Sequence, residues 1–489
     1  MEHSWVTSAA AYTYTIRRPS VGALPESHIS SQTEDWAAEA VARQRRYFES
    51  GATRSLAFRM QQLRTLKDAI VEYQSDIQDA LKADIGRPPF EAYIEISTAI
   101  EDLKHTLKHL KGWMKPRRVS TSMWAQPGRS RIESTPQGVT FLLGPYNYPF
   151  LLLIQPLIGS IAAGNTAVLK PSSLNPTVAD VVEKIIKRCF SEEYVCVFKG
   201  STEVTNVLLE QRFDHIFFTG SPRVGRIVMA AAAKHLTKVT LELGGKSPTI
   251  VHKDANLKVA ARRILAGKML NVGQTCVAPD HVHVHEDIKE AFEQTLVATL
   301  KEFYGDDPSQ SPDLGRMINE RHFDRVAGLI DTGKVLAGGQ TDRAQKYIAP
   351  TLLKDVTMDD LIMQEEIFGP VLPLLTYRSI EELVGNLKKL PEHPLALYLF
   401  TASEQVERQV LDSTQFGGGC INNTVMHVAN PNLPFGGVGE SGMGAYHGKN
   451  SFDVFSHQRG ILKATTLFDI KFRYAPYKDK VNLIRKMIR

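Results

Sequence analysis

Val139-Thr140-Phe141-Leu142-Leu143-Gly144-Pro145-Tyr146-Asn147 is a short apolar run that stops at a glycine-proline turn. A continuous apolar run of this length, bounded by turn residues, reads as a strand covered on both faces. Similar runs follow at residues 167–170, 195–199, 215–219, 239–243 and 248–251. Helix-like stretches separate them at residues 155–163, 177–190, 203–211 and 223–236. Buried strands alternating with helices predict a doubly wound α/β sheet. Ligands of such sheets bind beyond the carboxyl ends of the strands. The runs here end in polar or glycine-containing turns, among them Lys170-Pro171-Ser172-Ser173, Thr219-Gly220-Ser221 and Glu242-Leu243-Gly244-Gly245.

Outward from this block the chain changes character. Residues 1–30 scatter Ser, Pro and Gly without a period and read as a loose arm. From residue 33 to 110 the pattern is helical, with Leu56, Arg59, Met60, Leu63, Leu66 and Ile70 at i, i+3, i+4 spacing. Gly86-Arg87-Pro88-Pro89 interrupts it. Residues 117–131 are basic and strand- or loop-like. After Gly245 a second α/β stretch is expected, with helices at 255–270 and 288–302, a strand at 281–285, loops up to Pro350 and a buried run at 371–375.

A chain of 489 residues exceeds one core and predicts two or three domains. Hydrophobic content of 43%, charged content of 23% and a net charge of +5 describe an ordinary soluble chain. No basic stripe is interleaved with aromatics, so no nucleic-acid partner is expected. Cys189, Cys196, Cys276 and Cys420 form neither a disulfide framework nor a C-x-x-C zinc pair, which fits a reducing, cytoplasmic setting. The N-terminus lacks a secretory apolar core, while residues 5–18 hold two arginines and no acid, which leaves a transit-peptide reading open. The longest apolar stretch, 150–164, is broken by Gln155 and Pro156 and falls short of the roughly 20 residues that span a bilayer.

Asn271-Val272-Gly273-Gln274-Thr275-Cys276 sets a thiol in a small, amide-rich turn. Cys196, by contrast, sits inside the apolar run Val195-Cys196-Val197-Phe198. An accessible loop thiol is the kind whose thiolate reacts; by itself, a single cysteine in such a turn is more often incidental than catalytic.

Seven stretches in order remove most of that ambiguity. They are Gly144-Pro145-Tyr146-Asn147-Tyr148-Pro149, Val168-Leu169-Lys170-Pro171, Phe218-Thr219-Gly220-Ser221, Leu241-Glu242-Leu243-Gly244-Gly245-Lys246, Gly273-Gln274-Thr275-Cys276, Glu365-Glu366-Ile367-Phe368-Gly369-Pro370 and Pro434-Phe435-Gly436-Gly437. Together they resemble the aldehyde dehydrogenase superfamily, and within it the class of fatty and aromatic aldehyde dehydrogenases. The resemblance implies a Rossmann-like cofactor domain over 31–244, with 115–135 in a small bridging oligomerisation segment. It further implies a second α/β catalytic domain over 245–428, a return to the cofactor and bridging region over 429–470, and a basic tail at 471–489.

It also implies oxidation of aldehydes to carboxylic acids with NAD or NADP, without a metal. Cys276 would attack the carbonyl carbon and form a thiohemiacetal, then a thioester. Asn147 would hold the oxyanion, a role worth about 3 kcal/mol for one such donor; the residue types alone also allow a turn-forming asparagine. Glu242 would activate water; its surroundings predict poor solvation and a raised pKa, and the bland reading is a surface carboxylate. Gly220-Ser221-Pro222-Arg223-Val224-Gly225 stands where a pyrophosphate turn would be, at a helix N-terminus, or else Ser221 is a plain helix cap. Leu243 and Gly244 would line the same crevice. By analogy Lys170 meets the adenosine ribose, Glu366 the nicotinamide ribose, and Phe368 packs beside the nicotinamide. Ser173 departs from the family, which often has a glutamate there that repels a 2′-phosphate, so NADP is expected to be tolerated beside NAD.

The alternation His281-Val282-His283-Val284-His285 places three histidines on one strand face. A solvated face is expected in preference to a metal site. Relatives of this class pair through the bridging segment, so a homodimer is expected. In the tail, Val481, Ile484 and Ile488 share a helical face, compatible with weak membrane-surface contact or with a dimer-stabilising or gating helix. Tyr146, Tyr148, Phe150 and the stretch Val425-Met426-His427-Val428 point to an apolar tunnel and to medium- or long-chain aliphatic or aromatic aldehydes. The rivals are a CoA-acylating enzyme, a kind that tends to lack the glutamate found at 242, and a non-catalytic binding protein on the same fold.

Overall fold

The computed structural model describes residues 31–390, 393–467, 469–477 and 480–488, so the loose arm of residues 1–30 lies outside the described residues. The first apolar run forms strand Val139–Leu143, buried at every position. It is the middle of a six-stranded sheet ordered Gly442–Met443, Lys238–Glu242, His215–Thr219, Val139–Leu143, Thr166–Lys170, Val195–Val197. All neighbours are parallel except Gly442–Met443, which runs antiparallel to Lys238–Glu242. In chain order the first strand is central, the next two extend to one side and the following two to the other. Between Val139–Leu143 and His215–Thr219 the order reverses, which opens a ligand crevice at the carboxyl ends.

Pro248–Val251 continues the sequence pattern but joins a different sheet. That sheet has seven strands in the order Val335–Ala337, Thr351–Leu353, Val371–Tyr377, His281–His285, Pro248–Val251, Ala396–Phe400, Gly418–Ile421. Only Val335–Ala337 is antiparallel to its neighbour. The region expected to be loops up to Pro350 contains helix Glu320–Ala327. Only Phe323 and Val326 of that helix are buried, so its apolar signal in the sequence is slight.

The histidine alternation is corrected by this sheet. His281 and His283 are fully buried and His285 is 5% exposed. Their strand lies between Val371–Tyr377 and Pro248–Val251, and Val282 and Val284 on the opposite face are fully buried too. The three histidines do share a face, but that face is dry, because a central strand of a doubly covered sheet has no aqueous face. Burial holds both imidazoles below their usual pKa, His283 well below. Among the described residues, no cluster of His, Cys, Asp and Glu is arranged to hold a metal ion.

A third, antiparallel ribbon joins Arg117–Val119, Gly128–Pro136 and Ser456–Ala464, with Gly128 opposite Ala464 and Pro136 opposite Ser456. The N-terminal helices Leu56–Glu72, Gln74–Ile85 and Pro89–Trp113 bury Leu63, Leu66, Ile77, Leu81, Ile96 and Leu103. The break between the last two falls at Gly86, whose φ of 64° caps one helix, and at Pro88-Pro89, which start the next. Among the described residues no helix is long and apolar enough to cross a membrane.

Candidate active site

The end of strand Val139–Leu143 delivers Asn147, which is 3% exposed. Asn147 Nδ2 donates to Gln274 O at 3.0 Å. Asn147 O accepts from Asn271 Nδ2 at 3.0 Å and from the Arg87 guanidinium. The carboxamide and the cysteine loop are therefore tied directly to one another.

The cysteine loop follows helix Leu257–Met269. Asn271, Val272 and Gly273 all have left-handed φ, at 51°, 56° and 73°. For a β-branched valine this backbone is costly and needs support from its surroundings. Gln274 supplies it: Nε2 donates to Asn271 O and Arg316 O at 3.2 and 3.1 Å, and Oε1 accepts from Ile318 N at 3.0 Å. Thr275 Oγ1 lies 2.8 Å from Tyr148 Oη and donates to Leu270 O at 3.1 Å. A Cβ at Gly273 would strike Gly369 O, so this loop presses on the segment that carries Phe368.

Cys276 at the loop's end is half-buried. Burial pushes its thiol up to about 12, and the nearby carboxylates of Glu366 and Glu242 push the same way. Glu242 ends strand Lys238–Glu242 and is 2% exposed. Neither of its carboxyl oxygens has a hydrogen-bond partner among the described residues, and burial raises its pKa well above the carboxylate range. A buried, unpartnered carboxyl beside a thiol is an arrangement that structural roles rarely need. Tyr446, 1% exposed, is near both groups, and their charges add to the rise that burial causes in its pKa.

The remaining sequence candidates spread along the same strand ends. Gly220 N donates to Glu242 O at 3.0 Å, and Leu243 N to Ser441 O at 3.0 Å. Ser221 does cap helix Pro222–Ala233, its Oγ accepting from Val224 N at 3.4 Å. Gly225 in the first turn of that helix is close-packed, since a Cβ there would lie 2.8 Å from Leu243 Cδ2. At Gly244 a Cβ would collide with the Glu366 carboxylate. Phe368 has φ of 50° and meets Tyr146 edge-on, with centroids 6.0 Å apart. Lys170 is 4% exposed, and burial lowers its pKa to about 8. Its ammonium donates to Pro171 O and Gly200 O at 2.9 and 2.8 Å. Ser173 is exposed three residues further on. Glu242 and Glu366 are thus near enough to Cys276 to shift its pKa and Asn147 is bonded to the loop that carries it, while Lys170 and Ser173 lie across the point where the strand order reverses.

The groups present fit a dinucleotide. A helix N-terminus, a glycine that only a bare Cα can occupy and a buried lysine follow one another along the carboxyl ends of parallel strands.

Several residues at this site carry no signal in the sequence. Arg87, 1% exposed, pairs with the fully buried Glu95 side chain at 3.3 Å and lies over the Tyr148 ring at 4.6 Å. Glu95 Oε1 accepts from Phe150 N and Leu151 N at 3.1 and 3.0 Å. Glu91 Oε2 accepts from Asn271 N at 2.9 Å, and burial raises Glu91 to about 7 against the pull of Arg87. The helix break therefore grips the asparagine loop through Arg87, and the helix that starts at Pro89 grips the cysteine loop through Glu91. The tunnel candidates also divide. Phe150 is fully buried in the core, Tyr146 faces Phe368 and His322, and Met426 is exposed, whereas Val425 and Val428 are partly buried against the main apolar core, as Cys276 is.

A doubly wound parallel sheet whose order reverses beside the buried Glu242 and Lys170 is the architecture of dinucleotide-binding enzymes. The model of the aldehyde dehydrogenase family matches residues 5–461, and the chain belongs to that family. It is 47% identical over 442 residues to the 4,4'-diaponeurosporen-aldehyde dehydrogenase of Staphylococcus aureus, covering 90% of this chain and 96% of that one. It is also 47% identical over 446 residues to the dimeric NADP-preferring aldehyde dehydrogenase of Rattus norvegicus, covering 91% and 98%. Among solved structures, the substrate-bound state of Staphylococcus aureus AldH superposes with a TM-score of 0.90 at 45% identity, covering 92% of this chain and 99% of that one. The chain is an oxidoreductase that oxidises aldehydes with NAD or NADP.

Proposed function

We propose that this enzyme oxidises medium- to long-chain aliphatic or aromatic aldehydes to their acids, with Cys276 as nucleophile and Glu242 as the base that activates water. The observation that carries the assignment of roles is the unpartnered, buried Glu242 carboxyl beside the Cys276 thiol.

Cys276 releases its thiol proton to solvent as Sγ attacks the aldehyde carbon, and Asn147 with the Cys276 backbone N–H holds the oxygen that becomes negative. Glu366 and Phe368 would hold the nicotinamide end of a bound coenzyme and Lys170 its adenosine ribose, and the coenzyme would supply the hydride acceptor. The carbonyl then re-forms as a thioester on Cys276. Glu242 takes a proton from water, the hydroxide adds to the thioester, and the acid departs as the thiol is restored. A raised pKa suits Glu242 to both halves of this exchange, since a base works best when its pKa approaches the working pH.

Apolar substrates are favoured by the partly buried Val425 and Val428, which pack on the main apolar core as Cys276 does. An aldehyde panel from acetaldehyde to hexadecanal, with benzaldehyde, tests this: kcat/KM is expected to rise with chain length, and turnover of short semialdehydes alone would refute it.

The enzyme pairs as a homodimer through the ribbon of Gly128–Pro136 and Ser456–Ala464, supported by exposed Met123, Trp124 and Leu462 on that side. Light scattering on the purified chain gives the mass. A cytoplasmic setting accords with four free cysteines. The tail helix Lys480–Ile488 exposes Val481 and touches membrane surfaces weakly; liposome flotation with and without residues 471–489 decides between this and a gating role.

A further inference from the structure

Residues 364–370, which carry Glu366 and Phe368, belong to no helix or strand. Their backbone is nevertheless fixed by three charged side chains. Lys246 Nζ donates to Glu365 O at 2.9 Å and to Ile362 O at 2.8 Å. Asp280, paired with Lys246 at 2.6 Å, accepts from Ile367 N through its other oxygen at 2.8 Å. Arg325, on helix Glu320–Ala327, donates to Glu366 O at 3.1 Å, to Ile367 O at 2.6 Å and to the Glu365 carboxylate at 2.9 Å. The peptide groups on either side of Glu366 are therefore both held.

The hold has something to resist. Phe368 sits at φ of 50°, a conformation that an aromatic residue keeps only when its surroundings impose it. The Glu366 carboxylate fills the space that Gly244 leaves, and Gly369 O abuts Gly273 of the cysteine loop. Lys246 and Asp280 are 1% and 4% exposed, and a pair so buried contributes little net stability because desolvation offsets the attraction. Apart from a 3.4 Å contact between Asp280 and the buried His281 imidazole, its side-chain hydrogen bonds go to this segment or, at Ile362, to the turn that leads into it, as a device for fixing loop geometry requires.

We propose that Arg325, with the Lys246–Asp280 pair, positions Glu366 and Phe368 for hydride transfer, so that this cluster sets the rate of that step and not the affinity for the adenosine end of the coenzyme. The proposal rests on the reading of Glu366 and Phe368 given above. Arg325 is a positioning residue: it acts through the segment and not on substrate. Its side chain is 33% exposed, which makes it the member that can be changed without opening the core.

The test is Arg325→Met, alone and combined with Glu366→Gln. In coenzyme-free enzyme, amide hydrogen exchange over residues 364–370 is expected to accelerate while the strands on either side stay protected. With NAD and the aldehyde that gives the highest kcat/KM, kcat is expected to fall by about 10- to 100-fold. The isotope effect with the 1-deuterio aldehyde should rise, and the dissociation constant for NADH should stay near that of the unaltered enzyme. In the Glu366→Gln background Arg325→Met should cost little more, because both changes remove one function. Unchanged exchange, an unchanged isotope effect, or a full additional loss in the double variant would overturn the clamp. If Arg325→Met does not fold, Arg325→Lys keeps the charge, loses the fork that spans two carbonyls, and carries the same readouts. Failure of the unaltered enzyme to oxidise any aldehyde would instead remove the functional reading, while the exchange experiment would still judge the clamp.

Discussion

Asn147 and Gln274 are joined by a 3.0 Å hydrogen bond from the carboxamide of the first to the carbonyl of the second. This bond links the end of the central strand of one sheet to the loop that carries Cys276, two residues further on. Asn147→Ala is expected to lower kcat by about 100- to 1000-fold with a smaller change in KM. Arg87→Met, which strips one partner from Asn147 O, should cost less, about tenfold, and should be nearly silent in the Asn147→Ala background. Steady-state kinetics on the three variants check this; additive losses would show that Arg87 acts elsewhere.

Glu242→Gln should leave attack and hydride transfer possible but stall the release of acid. A single-turnover burst of reduced coenzyme followed by very slow steady turnover is the expected trace, with the acyl group detectable on Cys276 by mass spectrometry. The pH dependence has a definite sign. Burial raises the Glu242 pKa, so the unaltered enzyme should lose thioester hydrolysis as pH falls through values well above the ordinary carboxylate range, and regain it as pH rises. The variant should lack that limb.

Ser173 is exposed and uncharged beside the buried Lys170, so no carboxylate there opposes a 2′-phosphate. NADP is expected to support turnover with kcat/KM within about 100-fold of that for NAD, and Ser173→Glu to reduce the NADP value selectively. A preference for NAD above about a thousandfold in the unaltered enzyme would show that another residue makes the choice.

The buried histidines make a stability prediction. Burial lowers the folded-state pKa of His281 and His283 below the unfolded value. Such groups contribute stability that is present above the unfolded imidazole pKa, near 6.5, and lost as pH falls further. The melting temperature should therefore drop between pH 7.5 and pH 5, and His283→Leu should make that drop smaller. An identical drop in the variant would place the acid sensitivity in other groups.

Much of the architecture is legible in the chain because each strand of the first sheet is a compact apolar run closed by a turn. Those turns also mark where Asn147, Glu242 and Lys170 stand, since a strand end fixes the position of the residue that follows it. The residues that hold them are silent for a physical reason. Arg87 meets Asn147 across 60 positions and Arg325 meets Glu366 across 41, and neither pairing leaves a local pattern. Gly86-Arg87-Pro88-Pro89 advertises a break and hides the arginine within it. His281, His283 and His285 show the opposite failure: their spacing reveals a common face, but only the neighbouring strands decide whether water reaches it.

The central claim is that aldehyde oxidation passes through the sulfur of Cys276. The most direct measurement is aldehyde-dependent production of reduced coenzyme by Cys276→Ala, alongside NAD binding to confirm a folded site. Loss of turnover to background with coenzyme binding intact is the expected result; turnover near that of the unaltered enzyme would contradict the account.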